Sequence, residues 1–157
     1  MPIKSSVLAV GLALSAIVTV PMTAMADEIT NFVEEGYAIR GTDPVAYFTE
    51  GKPVAGKKEY STQYQDVTWL FSSAENLDKF KKDPAKYAPQ YGGWCATGVS
   101  FGVKIPIQPE QWKIVDGKLY LNAHAGAQRH FLKDPNASIA RANENWPTII
   151  HTPEADL

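Results

Sequence analysis

The sequence predicts an α+β fold: one small domain in which two β-hairpins pack with several short helices. Three observations carry this. Bulky and branched residues alternate across Lys58 to Ser72, Asp116-Gly117 separates two apolar-alternating runs, and capped helical patterns follow each of these segments.

In chain order, Gly36 to Arg40 reads as a short strand, and the breakers Gly41-Thr42-Asp43-Pro44 read as a turn. Val45 to Phe48 is apolar and expected to face inward. From Lys58 to Ser72, Tyr60, Tyr64, Val67, Trp69 and Phe71 form the pattern of a hairpin with Gln65-Asp66 at its tip, a less favourable pair than Asn-Gly. Ser72 and Glu75 have capping-box spacing, and Leu77 and Phe80 then share one face of a helix that runs to about Lys82. Asp83-Pro84 stops it, and Pro84 opens a further turn carrying Tyr87. Lys79, Lys81, Lys82 and Lys86 fit the solvated face of these helices.

Tyr91 to Gly102 holds four glycines, several aromatics and Cys95. It lacks the lysine and the strand-helix setting of a phosphate loop, so close packing of backbone against rings is the better reading. Gln111 to Val115 and Lys118 to Asn122 flank Asp116-Gly117 as the second hairpin, with Leu119 and Leu121 on one face. Ala125 to Lys133 reads as a helix. Asp134-Pro135 caps and opens a last one, with Ile139, Ala142 and Trp146 along one side and an end expected at Trp146-Pro147. No repeat, low-complexity segment or linker interrupts the chain.

The first 26 residues have the pattern of a secretory signal peptide: Lys4, an apolar run from Val7 to Val20, and Ala24-Met25-Ala26 before Asp27. The apolar run is shorter than the roughly 20 residues that cross a bilayer. Cleavage is expected to leave residues 27–157 as a periplasmic or secreted domain with no later membrane span, able to bury roughly two-thirds of its unfolded surface. Cleavage removes Lys4 from the 15 basic residues and none of the 17 acidic ones, giving a net charge of −3. That weak, dispersed acidity gives no footing for nucleic acid or an anionic membrane. All 4 Trp, 7 Tyr and 6 Phe lie after the leader, as an aromatic-rich core requires.

With Cys95 the only cysteine, no disulfide can form within the chain, so stability must come from packing. The thiol is either buried and inert or kept for chemistry. His124, His130 and His151 are the only histidines. Two histidines and a cysteine are the core of a blue-copper site, so Cys95, His124 and His130 are the candidate metal ligands, with copper the metal they would suit. His124 and His130 are six apart, a spacing that does not put two residues on one helical face. A Cys-His catalytic pair is the corresponding enzymatic reading. No Gly-x-Ser-x-Gly elbow supports serine hydrolysis, and no catalytic residue is assigned.

Asp43-Pro44-Val45, the Trp69-Leu70-Phe71-Ser72-Ser73 run, Phe80, and Asp83-Pro84 with Tyr87 together resemble the YHS domain. Tyr91 to Ala96 and Asp116 to Asn122 extend the likeness to exported bacterial YHS domain-containing proteins, strongest over residues 36–150. In metal-associated members of that family, cysteines stand at the positions of Ala46, Ser72 and Asn76. Alanine cannot ligate, and neutral serine and amide groups are poor ligands for zinc or copper, so the resemblance does not bring that site to this chain. Ser72 is expected as a helix cap and Asn76 as an exposed polar residue. The first reading that remains is a non-enzymatic exported binding module of the YHS type, holding a metal ion or small ligand, with aromatic residues walling the pocket. A structural or protein-interaction domain, with Cys95 and the aromatics as packing, is the alternative, and a Cys95-dependent enzyme ranks third. Ligand, partners and oligomeric state are not written in these residues.

Overall fold

The structure, a computed structural model, describes residues 30–157. The expected signal peptide and its cleavage before Asp27 lie outside these residues. The described chain forms two small sheets and six helices, an α+β architecture as the sequence predicts.

The first sheet begins with two short strands, β1 (Val33–Glu34) and β2 (Tyr37–Ala38). A 3-10 turn over Ile39–Gly41 follows, so the strand expected over Gly36 to Arg40 is cut short at Ala38. The turn leads to α1 (Ala46–Thr49), in which Ala46 and Tyr47 are buried. The first hairpin is β3 (Lys57–Tyr64) and β4 (Val67–Phe71). Its tip residues Gln65 and Asp66 have φ of 51° and 57°, the positive values that a two-residue turn matched to strand twist requires. The sheet order is β1-β2-β4-β3, with β2 parallel to β4 and the other pairs antiparallel.

α2 (Ala74–Lys82) lies next to this hairpin, and its Phe80 ring sits 4.9 Å from Phe71, 5.4 Å from Trp69 and 5.6 Å from Tyr64. Asp83 ends α2 and caps α3 (Pro84–Tyr87), accepting from the Lys86 amide. Half-buried Lys79 is paired with Glu75 one turn earlier.

After a 3-10 turn at Gln90–Gly93 comes α4 (Ala96–Ser100), then the second hairpin, β5 (Gln108–Val115) and β6 (Lys118–Asn122). Leu119, Tyr120, Leu121 and Asn122 are all buried, so both faces of β6 are covered. α5 (Ala125–Lys133) and α6 (Pro135–Ile149) complete the fold, with the Asp134 side chain capping the second of them. α6 does not stop at Trp146-Pro147. Proline's φ suits a helix, and what it forfeits is one hydrogen bond, which buried Ile149 and the clamp on the following residues offset. That clamp is Lys104, whose Nζ donates to the carbonyls of Ile150 (2.9 Å) and Thr152 (2.7 Å). Burial lowers the pKa of this amine to about 8.

The two hairpins are tied through α1. The Tyr47 hydroxyl donates to the Pro109 carbonyl at 2.8 Å, and its ring meets Trp112 at 5.2 Å. Burial, with Glu110 adding to it, pushes the Tyr47 hydroxyl pKa up.

Trp69 is 1% exposed and donates its indole N–H to the Tyr64 carbonyl at 3.1 Å. Trp69→Ala is therefore expected to cost about 3–5 kcal/mol in chemical denaturation. A loss below about 1 kcal/mol would mean that the ring does not support the core.

Candidate functional sites

Three places hold the chemistry-bearing side chains: a buried carboxylate at the start of α1, the Cys95 sulfur, and an aromatic cleft.

Asp43 is fully buried and sits in the turn before α1. One oxygen accepts from the amides of Val45 (2.8 Å) and Ala46 (3.3 Å), closing the turn. The other accepts from the Ser72 amide (2.8 Å), the Ser72 hydroxyl (2.7 Å) and Asn76 Nδ2 (2.8 Å). Five donors on one carboxylate compensate its removal from water. This corrects two sequence expectations. The cap of α2 is Ser73, whose hydroxyl accepts from the Asn76 amide, because Asp43 occupies the Ser72 hydroxyl. Asn76 is buried rather than exposed, held by the same carboxylate.

Ala46, Ser72 and Asn76, the positions singled out by the YHS resemblance, thus do converge, and Asp43 is the group they surround. Their chemistry does not fit a soft metal: a methyl group faces no cation usefully, and the serine hydroxyl and the asparagine amide nitrogen are spent as donors.

Cys95 is 0% exposed. It caps α4, its sulfur accepting from the amides of Gly98 (3.4 Å) and Ala123 (3.2 Å) and donating to Asn122 Oδ1 (3.6 Å). Burial raises the thiol pKa, against the opposing pull of the amides of Gly98, Ala123 and Thr97. Asn122 is itself committed, accepting from Thr97 N and Oγ1 and donating to Gln128.

Although Ala123 touches the sulfur, the next side chain turns outward. His124 is exposed and caps α5, its Nδ1 accepting from the amides of Gly126 (3.1 Å) and Ala127 (3.2 Å). His130, on α5, packs its ring 5.4 Å from exposed Phe101. Among the described residues no group of three or more His, Cys, Asp or Glu side chains is arranged to hold a metal ion, so Cys95, His124 and His130 are not brought together as one ligand set.

The location of the third place was not legible in the sequence. A cleft of about 240 Å³ opens between the tip of the first hairpin, the 3-10 turn at Gln90–Gly93 and the end of α6. Tyr64, Trp69, Tyr91 and Trp146 supply its rings, and Asn31, Gln65 and Gln90 its side-chain amides. Among the described residues, none that lines it is acidic, basic or a histidine. The turn is held in place by Gly92, at φ 60°, where any side chain would strike the Thr30 carbonyl. Phe32 N donates to the Gly92 carbonyl at 2.8 Å, and the Tyr91 hydroxyl donates to Asn143 on α6 at 2.9 Å. Aromatic content was visible in the sequence, but its gathering from four separate elements was not.

Residues 45–91 match the family model of the YHS domain. The match runs from the residue before α1 to Tyr91, so it contains Ala46, Ser72 and Asn76 and one side of the cleft. No curated protein and no solved structure matches the chain.

Two outcomes follow from this geometry. Asp43→Ala is expected to cost about 3 kcal/mol or more in urea denaturation, because it strands the buried donors of Ser72 and Asn76; a cost under about 1 kcal/mol would show that they find other partners. Cys95 is expected to react slowly with a thiol reagent in the native protein and fast after denaturation, and rapid native labelling would contradict its enclosure.

Proposed function

We propose that this protein is an exported, non-enzymatic binding module of the YHS type, and that its ligand is a small molecule held in the aromatic cleft. The cleft carries this reading: a preformed concavity with ring walls and a few neutral polar groups is the usual form of a small-ligand site. Export rests on the leader pattern of residues 1–26.

A metal ion as the ligand draws less support. The Asp43 donor cluster is chemically unsuited to it, and the lone pair of His124 Nδ1 is committed to backbone amides. A Cys95 nucleophile draws less still, since the thiol is enclosed and its pKa is raised, whereas activation needs the opposite. One feature favours the protein-interaction alternative: Phe101 is 64% exposed and Leu132 45%.

Mapping by NMR with a mixed panel of small neutral, cationic and anionic fragments tests the reading. Binders are expected at Kd of about 1 mM, with shifts centred on Tyr64, Gln90 and Trp146. Shifts confined to the surroundings of Phe101 or of Leu132, or no binders at all, would overturn it.

A further inference from the structure

The cleft's chemistry narrows its ligand, given that it is the binding site. Among the described residues no cleft-lining side chain carries a charge, so a charged group entering the cleft would lose water without gaining an ionic partner among them. A cation is disfavoured for a second reason. Rings attract cations through their faces, but the Lys104 amine already lies 5.5 Å from the centre of the Trp146 ring and 5.8 Å from that of Trp94. Lys104 is fixed there by the carbonyls of Ile150 and Thr152, and Ile150 is itself part of the cleft wall. A positively charged ligand on Trp146 would therefore meet a ring already engaged by a cation.

What the cleft offers instead is a combination of apolar ring surface and neutral groups that both donate and accept. Gln65 and Gln90 each present a carbonyl oxygen and an NH2 group, and neither side chain is engaged by another described residue. A flat hydrocarbon ring would use the aromatic walls and leave these amides unanswered. A hydroxylated ring uses both, with C–H faces toward the aromatics and hydroxyls, each donor and acceptor, toward the amides. Size agrees: at about 240 Å³ the cleft is smaller than the roughly 300–1,000 Å³ of sites for drug-sized ligands, and suits a single ring.

We infer that the cleft between the first hairpin and the end of α6 takes an uncharged saccharide ring, seated on Trp146 and Tyr64 and hydrogen-bonded by Gln65 and Gln90.

Titration calorimetry and tryptophan fluorescence on the intact mature chain test this with neutral hexoses, pentoses and N-acetylhexosamines, against glucose 6-phosphate, glucosamine, choline and indole. At least one neutral sugar is expected to bind with Kd of about 10 mM or tighter, and the phosphorylated and amino sugars to bind at least about tenfold more weakly than their neutral parent. Gln90→Ala and Trp146→Phe should each weaken the sugar by about tenfold, with melting temperature checked for both. Binding of choline, indole or a charged sugar at the cleft, with no neutral sugar bound, would overturn the saccharide assignment and leave the cleft as the site. Absence of binding by every probe, together with failure of the fragment panel, would remove the cleft itself.

Discussion

The fold is organised around a buried carboxylate. An Asp side chain enclosed in protein must find a donor for each exposed lone pair or lose several kcal/mol. Asp43 meets this demand with backbone amides on its own side and with the end of β4 and the first turn of α2 on the other. The start of α1 and the exit of the first hairpin are thereby fixed together. Tyr47, one residue beyond Ala46, is aimed from this fixed point toward Pro109 and Trp112 of the second hairpin. The rings of Trp69, Phe71 and Phe80 close behind the same junction. Hydrophobic burial supplies most of the driving force, and the carboxylate determines where the elements meet.

The cleft depends on the same arrangement at one remove. Its hairpin side is the tip of the strands whose far end Asp43 anchors, and its other side is the end of α6, which Lys104 holds by two carbonyls. Both walls are thus backed by hydrogen bonds rather than by packing alone. A site built this way is largely formed before a ligand arrives, which lowers the ordering cost of binding. Cys95, by contrast, contributes to the interior: its sulfur joins α4 to the end of β6 through Ala123 and Asn122.

Much of the fold was legible because its signals are local. Asp116-Gly117, the Asp83-Pro84 and Asp134-Pro135 caps and the alternation around Trp69 each act within a few residues, and each stands where the sequence placed it. What could not be read depends on distant partners. Ser72 and Asn76 look like an ordinary cap and an ordinary surface amide until Asp43, 29 and 33 residues away, takes their donors. The helix through Pro147 continues for a similar reason, since Lys104 is 46 residues from the carbonyl it holds. The cleft shows the same limit. Tyr64, Tyr91 and Trp146 look alike in sequence as core aromatics, and only the approach of the hairpin to α6 distinguishes them.

The self-contained Asp43 junction also bears on how the chain reaches its native state. Its five donors belong to the polypeptide, so its closure involves no oxidation step and no capture of an ion from outside. The event to be awaited is the meeting of segments about 30 residues apart, whose entropic cost grows only slowly with loop length. The β3-β4 hairpin lies within that loop and can form first on local contacts, bringing Ser72 back toward Asp43. Parallel pairing of β2 with β4, which a hairpin cannot supply, can then follow the closure of this junction.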